Sequence, residues 1–426
     1  MKRIYQELLA YCGFHNLPEG IEEFYEKYAE PSEKPFIRRE FLHSLYERFE
    51  LAKDQQEYLE KACEAIEKDE TLLHFSKFLV WDMCNARNRC SKDDYQLLEP
   101  ACMRECQEAY GFLILLACVE PAMKLMEERG VPKEYYQDIP YRPMVGQFKK
   151  WKETGDIRVS DFPWDLNFYT CAIFLFDRFL FIPYRFGDNF TMYRHKESKK
   201  VIALWHGGDE FRRDGQFNGV NKIFDPMKYD SIWEETQEEI KANPVSPMGF
   251  VKAEPVILKK SEWEVALQQG DLLLGLHVPS GPGYTPERLK NSMELAHNFY
   301  KEYYKELDIK GFWSESWLYD SRLSLVLEEE KSNIIKVQRQ YYLYPVMDGD
   351  GMIRLEVFGG WKVDPLTVTP KSSLQKAAKE YMEQGKRFNN LSMIVLNEEI
   401  EQIGSNPYIT KQDIDEFYQI VDTHLN

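Results

Sequence analysis

The residues best suited to chemistry in this 426-residue chain gather in one stretch, 270–320. His277 ends an apolar run. Val278, Pro279, Ser280, Gly281, Pro282, Gly283 and Tyr284 follow, and Thr285-Pro286-Glu287 opens the next segment. Further on, Ser314-Glu315-Ser316-Trp317 leads into Tyr319 and Asp320. A glycine-bearing loop that runs from a strand into a capped helix is a ready anion site, because the first helical N–H groups lack intrahelical partners. His277 is a candidate general base, since imidazole titrates near neutral pH, or equally a satisfied core histidine. Glu315 is a candidate base, or a solvent-facing strand residue. Ser316 could bond a ligand or cap a helix, Trp317 could wall a pocket or fill the core, and Asp320 could be a cap.

The elements that must position these residues are legible from periodicity. In 271–278, Leu272, Leu274, Leu276 and Val278 face one way, and Leu273, Gly275 and His277 the other. Both faces are mostly apolar, as in a central strand, and Gly275 leaves a spot where a ligand or backbone can approach. Thr285 is a strong N-cap with Pro286 at the first helical position. That helix runs to about Glu306 and buries Leu289, Met293, Ala296 and Tyr300. A strand over 310–317 follows, then a helix over 318–328. A hairpin is expected over 333–344 and 352–358, closed by Asp348-Gly349-Asp350-Gly351. That turn lacks the glutamate of a calcium loop at the twelfth position. Residues 371–385 form a helix, 392–397 a strand and 410–424 a closing helix.

Residues 1–155 read as an all-helical N-terminal domain, with helices over 2–12, 36–50 and 54–68, and another capped by Thr71. A long helical region follows from about Asp94 to Arg129, bent at Pro121. Residues 156–426 form the second domain. It opens with a buried connecting helix in 156–180 and changes to strand period at Leu180, with a hairpin over 190–206. His206, Asp209 and Glu210 fit no metal-ligand spacing and read as turn chemistry. Residues 229–243 read as an acidic helix anchored by Trp233 and Ile240. Residues 247–260 are extended, and 261–269 form a short helix boxed by Ser261 and Glu264.

Composition narrows the function. A net charge of −17 argues against nucleic acid, which demands a basic face. Eight cysteines, all within the first 171 residues and none in a CxxC pair, read as reduced thiols of a cytoplasmic protein. Cys102 and Cys106 share a helix face without a nearby histidine to complete a zinc set. No apolar run reaches a membrane span, and GFLILLACV at 111–119 reads as buried helix. No nucleophile elbow is present for a hydrolase.

The order strand, helix, strand, helix, strand, strand from residue 271 resembles the GNAT acyltransferase superfamily. More specifically, LHVPSGPGYTPERLKNSMELAHNFY, SESWLYD and SNIIKVQRQY, with Tyr184-Arg185-Phe186-Gly187, resemble bacterial proteins with a helical N-acyltransferase N-terminal domain and a GNAT-like C-terminal domain. The resemblance implies an α+β fold, a helical domain followed by a mixed sheet with flanking helices. It implies that acetyl-CoA or a longer acyl-CoA binds where the central strand and its successor splay apart. Val278, Ser280, Gly281, Gly283, Tyr284 and Thr285 would hold the cofactor, and Ser316 and Trp317 the substrate. Direct attack by a small-molecule amine would use Glu315 or His277 as base and Tyr319 as the acid for the thiolate, with the helical domain shaping the acceptor pocket. One departure stands out. The superfamily loop carries Gln or Arg where this chain has Val278, and Pro282 removes one N–H donor. The alternative is therefore a catalytically silent binding protein that has lost the cradle.

Overall fold

Helical spacing of apolar residues governs the first part of the chain. The computed structural model describes residues 5–14, 17–28, 35–85, 95–96 and 98–424. Cys90 and the expected starts of the first helix at residue 2 and of the long helical region at Asp94 lie outside them. The chain divides into two compact units, 1–174 and 175–426. The first contains α1 (Tyr5–Cys12), α2 (Ile21–Lys27), α3 (Arg39–Arg48), α4 (Lys53–Lys68), α5 (Glu70–Asn85), α6 (Tyr110–Glu128), α7 (Tyr141–Thr154) and α8 (Phe162–Tyr169). Its core is built on α5 and α6, where Phe75, Phe78, Phe112 and Leu113 are fully buried. Edge-to-face rings such as Tyr25 on Phe78, with centroids 5.0 Å apart, fix its packing.

Several local expectations for this unit are corrected. Asp69, not Thr71, caps α5, its Oδ1 accepting from the N–H groups of Thr71 and Leu72 at 3.0 Å. Pro121 lies inside α6, which runs on through it to Glu128. The segment before it, Ala101–Ala109, is a 3-10 helix interrupted at Arg104 (φ 48°), so Cys102 and Cys106 do not share a regular α-helical face. The whole stretch Ala101–Glu128 does reach the length and apolarity of a membrane span, contrary to expectation, and most of it is buried inside the protein. The connecting segment holds α8, capped by Asp161, and then turns to strand.

The second unit opens with β1 (Phe174–Phe176), β2 (Phe179–Arg185), β3 (Phe190–His195), β4 (Val201–Trp205), β5 (Glu210–Phe211), β6 (Tyr229–Asp230), β7 (Trp233–Glu235), β8 (Glu239–Ser246), β9 (Phe250–Val251), β10 (Val256–Lys259) and β11 (Trp263–Leu267). The acidic segment 229–243 is thus strand, not helix. Its charges alternate and pair across a hairpin, with Glu234 opposite Lys241 and bonded to it at 3.2 Å. Residues 261–269 likewise hold a strand, because Trp263 packs edge-on to His195 in the register of β3. Then come β12 (Leu272–His277), α9 (Pro286–Tyr303), β13 (Ile309–Ser316), α10 (Asn333–Gln338), β14 (Tyr342–Pro345), α11 (Gly351–Phe358), α12 (Ser373–Glu383), β15 (Leu391–Leu396) and α13 (Lys411–His424). The expected hairpin over 333–358 is a helix, a strand and a helix. Ser332 caps α10, and Ile353, Val357 and Phe358 bury one face of α11. The expected helix over 318–328 is two short 3-10 turns, Trp317–Tyr319 and Ser321–Leu325.

The strands form a six-stranded mixed sheet, in the order β1-β2-β12-β13-β15-β14, and a seven-stranded antiparallel sheet with core order β10-β8-β4-β3-β11. Leu273, Tyr342, Tyr344, Ile394 and Leu396 pack against Phe190, Met192, Ala203 and Trp205 of the second sheet. The first sheet receives α9 through Phe176 on Phe299, and Phe181 meets Phe312 across its own strands. The fold is α+β, a helical region followed by mixed sheets with flanking helices.

A buried ionic chain ties three distant segments of this unit together. Arg212 makes two 3.0 Å bonds to Asp214, Arg322 bonds both Asp214 and Asp320, and Asp320 accepts from the N–H of Asn389 at 2.8 Å. All four charged side chains are nearly inaccessible.

Candidate active site

The loop between β12 and α9 is built from a strand end, two left-handed glycines and a helix cap. Gly281 and Gly283 have φ of 111° and 96°, conformations that disfavour a Cβ. Thr285 caps α9, its Oγ1 accepting from the N–H of Arg288 at 3.4 Å, and Pro286 takes the first helical position. The loop carbonyls are engaged. Arg178 donates Nε to Pro282 O at 2.8 Å and Nη2 to Gly281 O at 2.9 Å and to Pro279 O. No hydrogen bond to a protein acceptor is seen for the N–H groups of Ser280, Gly281, Gly283 and Tyr284 among the described residues. Successive free N–H groups in such a turn form a concave anion cradle, and α9 adds its positive end. Beside it, Arg288 is paired with Asp177, bonding Oδ2 at 3.1 Å.

The strands flanking the loop stop pairing with each other before their ends. The parallel pairing of β12 with β13 runs to Gly275↔Trp313. Beyond that point each strand keeps its outer partner, His277 opposite Leu180 in β2 and Glu315 opposite Ser392 in β15. His277 and Glu315 therefore lie past the last paired position, on the same sheet face as Gly275 and Trp313. Both are half-buried. Over Gly275 it is the neighbouring strand that comes close. A Cβ there would stand 3.4 Å from Ile182 O and 3.5 Å from Ile182 Cγ2 and Tyr184 Cβ, and the Tyr184 ring stacks on Trp313 at 3.8 Å between centroids. Trp313 donates Nε1–H to the Tyr344 hydroxyl at 2.8 Å, and Tyr344 donates to Asp188 at 2.6 Å. Burial raises the Asp188 carboxyl above its ordinary range, with the Tyr344 hydrogen bond opposing the rise. Glu315 and Asp188 are the charges that push Tyr184, already raised by burial, further up.

On the other face the loop meets a buried set of tyrosines. Tyr284 and Tyr341 place their hydroxyls 3.4 Å apart, and Tyr341 stands edge-on to Tyr319 at 5.3 Å. Burial raises all three phenols, and Ser314 partly offsets this for Tyr319. Each keeps its proton at working pH. Ser316 caps the 3-10 turn, accepting from the N–H of Leu318 at 3.2 Å. Trp317 lies in an apolar cluster with Leu323, Ile335 and Phe388. Asp320 caps the second turn through the N–H of Arg322. The candidate metal residues are spent elsewhere, His206 on Thr191, Asp209 on Asn189 and Trp205, and Glu210 on Lys228 and Asn218. Two surface depressions of about 270 and 310 Å³, lined by Phe49 and Val145 and by Ser324 and Tyr418, are separate from the loop and the strand gap.

Arg178, Tyr341 and the Tyr184–Trp313–Tyr344 set are absent from the sequence reading of the site. Arg178 precedes the loop by a hundred positions, and Tyr341 sits in a segment read there as hairpin. Only the alternation in FLFIPYR offered a signal, by turning Tyr184 to the face of Gly275 once β2 and β12 are paired.

This geometry belongs to a known class. Residues 40–171 match the N-acyltransferase N-terminal domain and residues 184–393 the GNAT-like C-terminal domain. The chain is an acyltransferase built from this pair of domains. Among solved structures of similar fold is an acyltransferase mutant in complex with octanoyl-CoA (TM-score 0.55, 16% identity, covering 92% of this chain and 99% of that one). Another is an acyltransferase in complex with decanoyl-CoA (TM-score 0.55, 13% identity, 92% and 98%). A third is an acyltransferase in complex with decanoyl-CoA and teicoplanin (TM-score 0.52, 17% identity, 92% and 98%). At these identities what is shared is the fold. No curated protein matches in sequence.

Proposed function

We propose that the protein transfers an acyl group from acyl-CoA to an amine by direct attack. The observation that carries the reading is the 279–285 loop, carbonyls tied back and N–H groups open, set beside the gap between β12 and β13. The diphosphate lies on the loop and the first turn of α9, with Ser280, Gly281, Gly283, Tyr284 and Thr285 around it and Val278 at its edge. The thioester arm enters the strand gap. The amine nitrogen attacks the carbonyl carbon, the C–N bond forms and the C–S bond breaks. The ammonium proton passes to Glu315 or His277 on the far face of the gap. Tyr319, protonated at working pH, donates to the departing thiolate. Ser316 has a hydroxyl proton left to offer the carbonyl oxygen, and Trp317 stands behind it.

Val278 and Pro282 do not abolish the cradle on this reading. Pro282 lacks an N–H, but its neighbours Gly281 and Gly283 retain theirs. Octanoyl- and decanoyl-CoA, bound by acyltransferases of similar fold, are the donors to test first, with a panel of amines that includes glycopeptides. A rise in thermal midpoint with either donor, and release of free CoA thiol only when an amine is added, is the expected result. Glu315→Gln and His277→Ala are then compared at saturating donor. If neither slows transfer, both residues are structural. If no acyl-CoA shifts the midpoint, the protein is a silent member of its class.

A further inference from the structure

Arg178 lies in the turn between β1 and β2, and only 8% of its surface is exposed. Its backbone N–H donates to Ser292 Oγ of α9 at 3.3 Å, so the turn is fastened to the helix as well as to the loop. The guanidinium bonds the carbonyls of Pro279, Gly281 and Pro282. No carboxylate pairs with it among the described residues, because the adjacent Asp177 is taken by Arg288. Burial and the nearby Arg288 both press its pKa down, against Asp177.

The peptide geometry gives these bonds a direction. No cis peptide bond is present among the described residues, and in a trans peptide the C=O and the following N–H point opposite ways. Holding Pro279 O and Pro282 O toward Arg178 therefore aims the N–H groups of Ser280 and Gly283 away from it, into the open side of the loop. A cation on the carbonyl side also polarises those N–H groups.

We propose that Arg178 is the positioning residue that sets the loop to receive a diphosphate, standing in from a neighbouring turn for the Gln or Arg that this chain lacks at Val278. The inference rests on the reading of the loop as the acyl-CoA site. A planar fork of donors is required, so lysine keeps the charge and loses the geometry.

The test uses Arg178→Lys in the full chain and two donors, octanoyl-CoA and octanoyl-N-acetylcysteamine, which has the thioester but no diphosphate. The expected result is a rise of about tenfold or more in KM for octanoyl-CoA, with kcat within about twofold and kcat/KM for the short thioester within about twofold. In the unliganded variant, limited proteolysis within 279–285 quickens, while amide hydrogen exchange in the core of α9 stays as it was. Equal losses with both donors, or unaltered loop proteolysis and unaltered KM, overturn the proposal. Should the parent protein accept no CoA thioester, the acyl-CoA reading falls by itself. Loop proteolysis then still decides whether Arg178 sets the loop.

Discussion

Replacing Gly283 with alanine separates a built cradle from an incidental turn. Gly283 has φ 96°, and a Cβ there would stand 2.6 Å from Arg288 Nη1 and 3.4 Å from its Cδ. The Nη1 is the far end of a flexible, exposed side chain and can move. The backbone cannot, and an L-residue in the left-handed region costs about 1–2 kcal/mol. The loop escapes that strain by leaving the conformation that exposes its N–H groups. The binding-competent fraction then falls by about 5- to 30-fold, and the apparent Kd for octanoyl-CoA rises by the same factor. The thermal midpoint falls by no more than a few degrees, since ~1 kcal/mol moves a domain of this size by roughly 2–4 °C. Calorimetric titration reads the affinity. Gly270→Ala is the control, because Gly270 has the same strained φ (94°), open space around it and a place at the other end of β12. A rise of less than about twofold for Gly283→Ala, or an equal rise for Gly270→Ala, refutes the reasoning.

Other perturbations follow from the same structure. Tyr319→Phe should slow transfer by about 100-fold or more at saturating donor, the usual range for a lost proton donor, while leaving the thermal midpoint near that of the parent, and thiol-release kinetics with melting curves check both. Arg322→Met strands the Asp214 and Asp320 carboxylates in the interior and should cost about 3–5 kcal/mol, read as a drop on the order of 10 °C in the melt of the second unit. Asp165 in α8 has its carboxyl pushed up to about 7 by burial and by Asp161. The folded state therefore holds a proton that the unfolded state has released, so stability falls as pH rises from about 4 through 7, and Asp165→Asn should flatten that part of the midpoint-against-pH curve.

The strand–loop–helix unit was legible because each of its signals is local. The two-residue alternation of 272–277, the glycines at 281 and 283 and the Thr285-Pro286 cap each act within a few residues, and all three stand in the structure. The segments misread are those where a local signal is shared by two structures. Trp233 and Ile240 are spaced as a helix would space them, but Glu234 and Lys241 found each other across a hairpin. Ser261 and Glu264 have the form of a capping box, but the packing of Trp263 on His195 held the segment as a strand. Asp348-Gly349-Asp350-Gly351 turns the chain as expected, though into α11 and not into a second strand, with Asp350 bonded to Arg354 one turn on. The parting of β12 and β13 and the grip of Arg178 on the loop depend on contacts between residues distant in sequence. No spacing along the chain encodes them, and only the assembled sheet does.

The gap between β12 and β13 also changes how many borders the six-stranded sheet has. A flat sheet ends at its two outermost strands, and an uncovered rim there invites pairing with another chain. Here the ladder between β12 and β13 stops at Gly275↔Trp313, leaving 276–277 on one bank and 314–316 on the other past the last pair of these two strands. Each is only two or three residues long, shorter than a strand needs to recruit a neighbour. The two strands thus end their mutual ladder early, and brevity guards the ends. Lengthening either bank, by inserting a pair of strand-forming residues after Leu276 or Ser314, would turn these short ends into a template for misassembly.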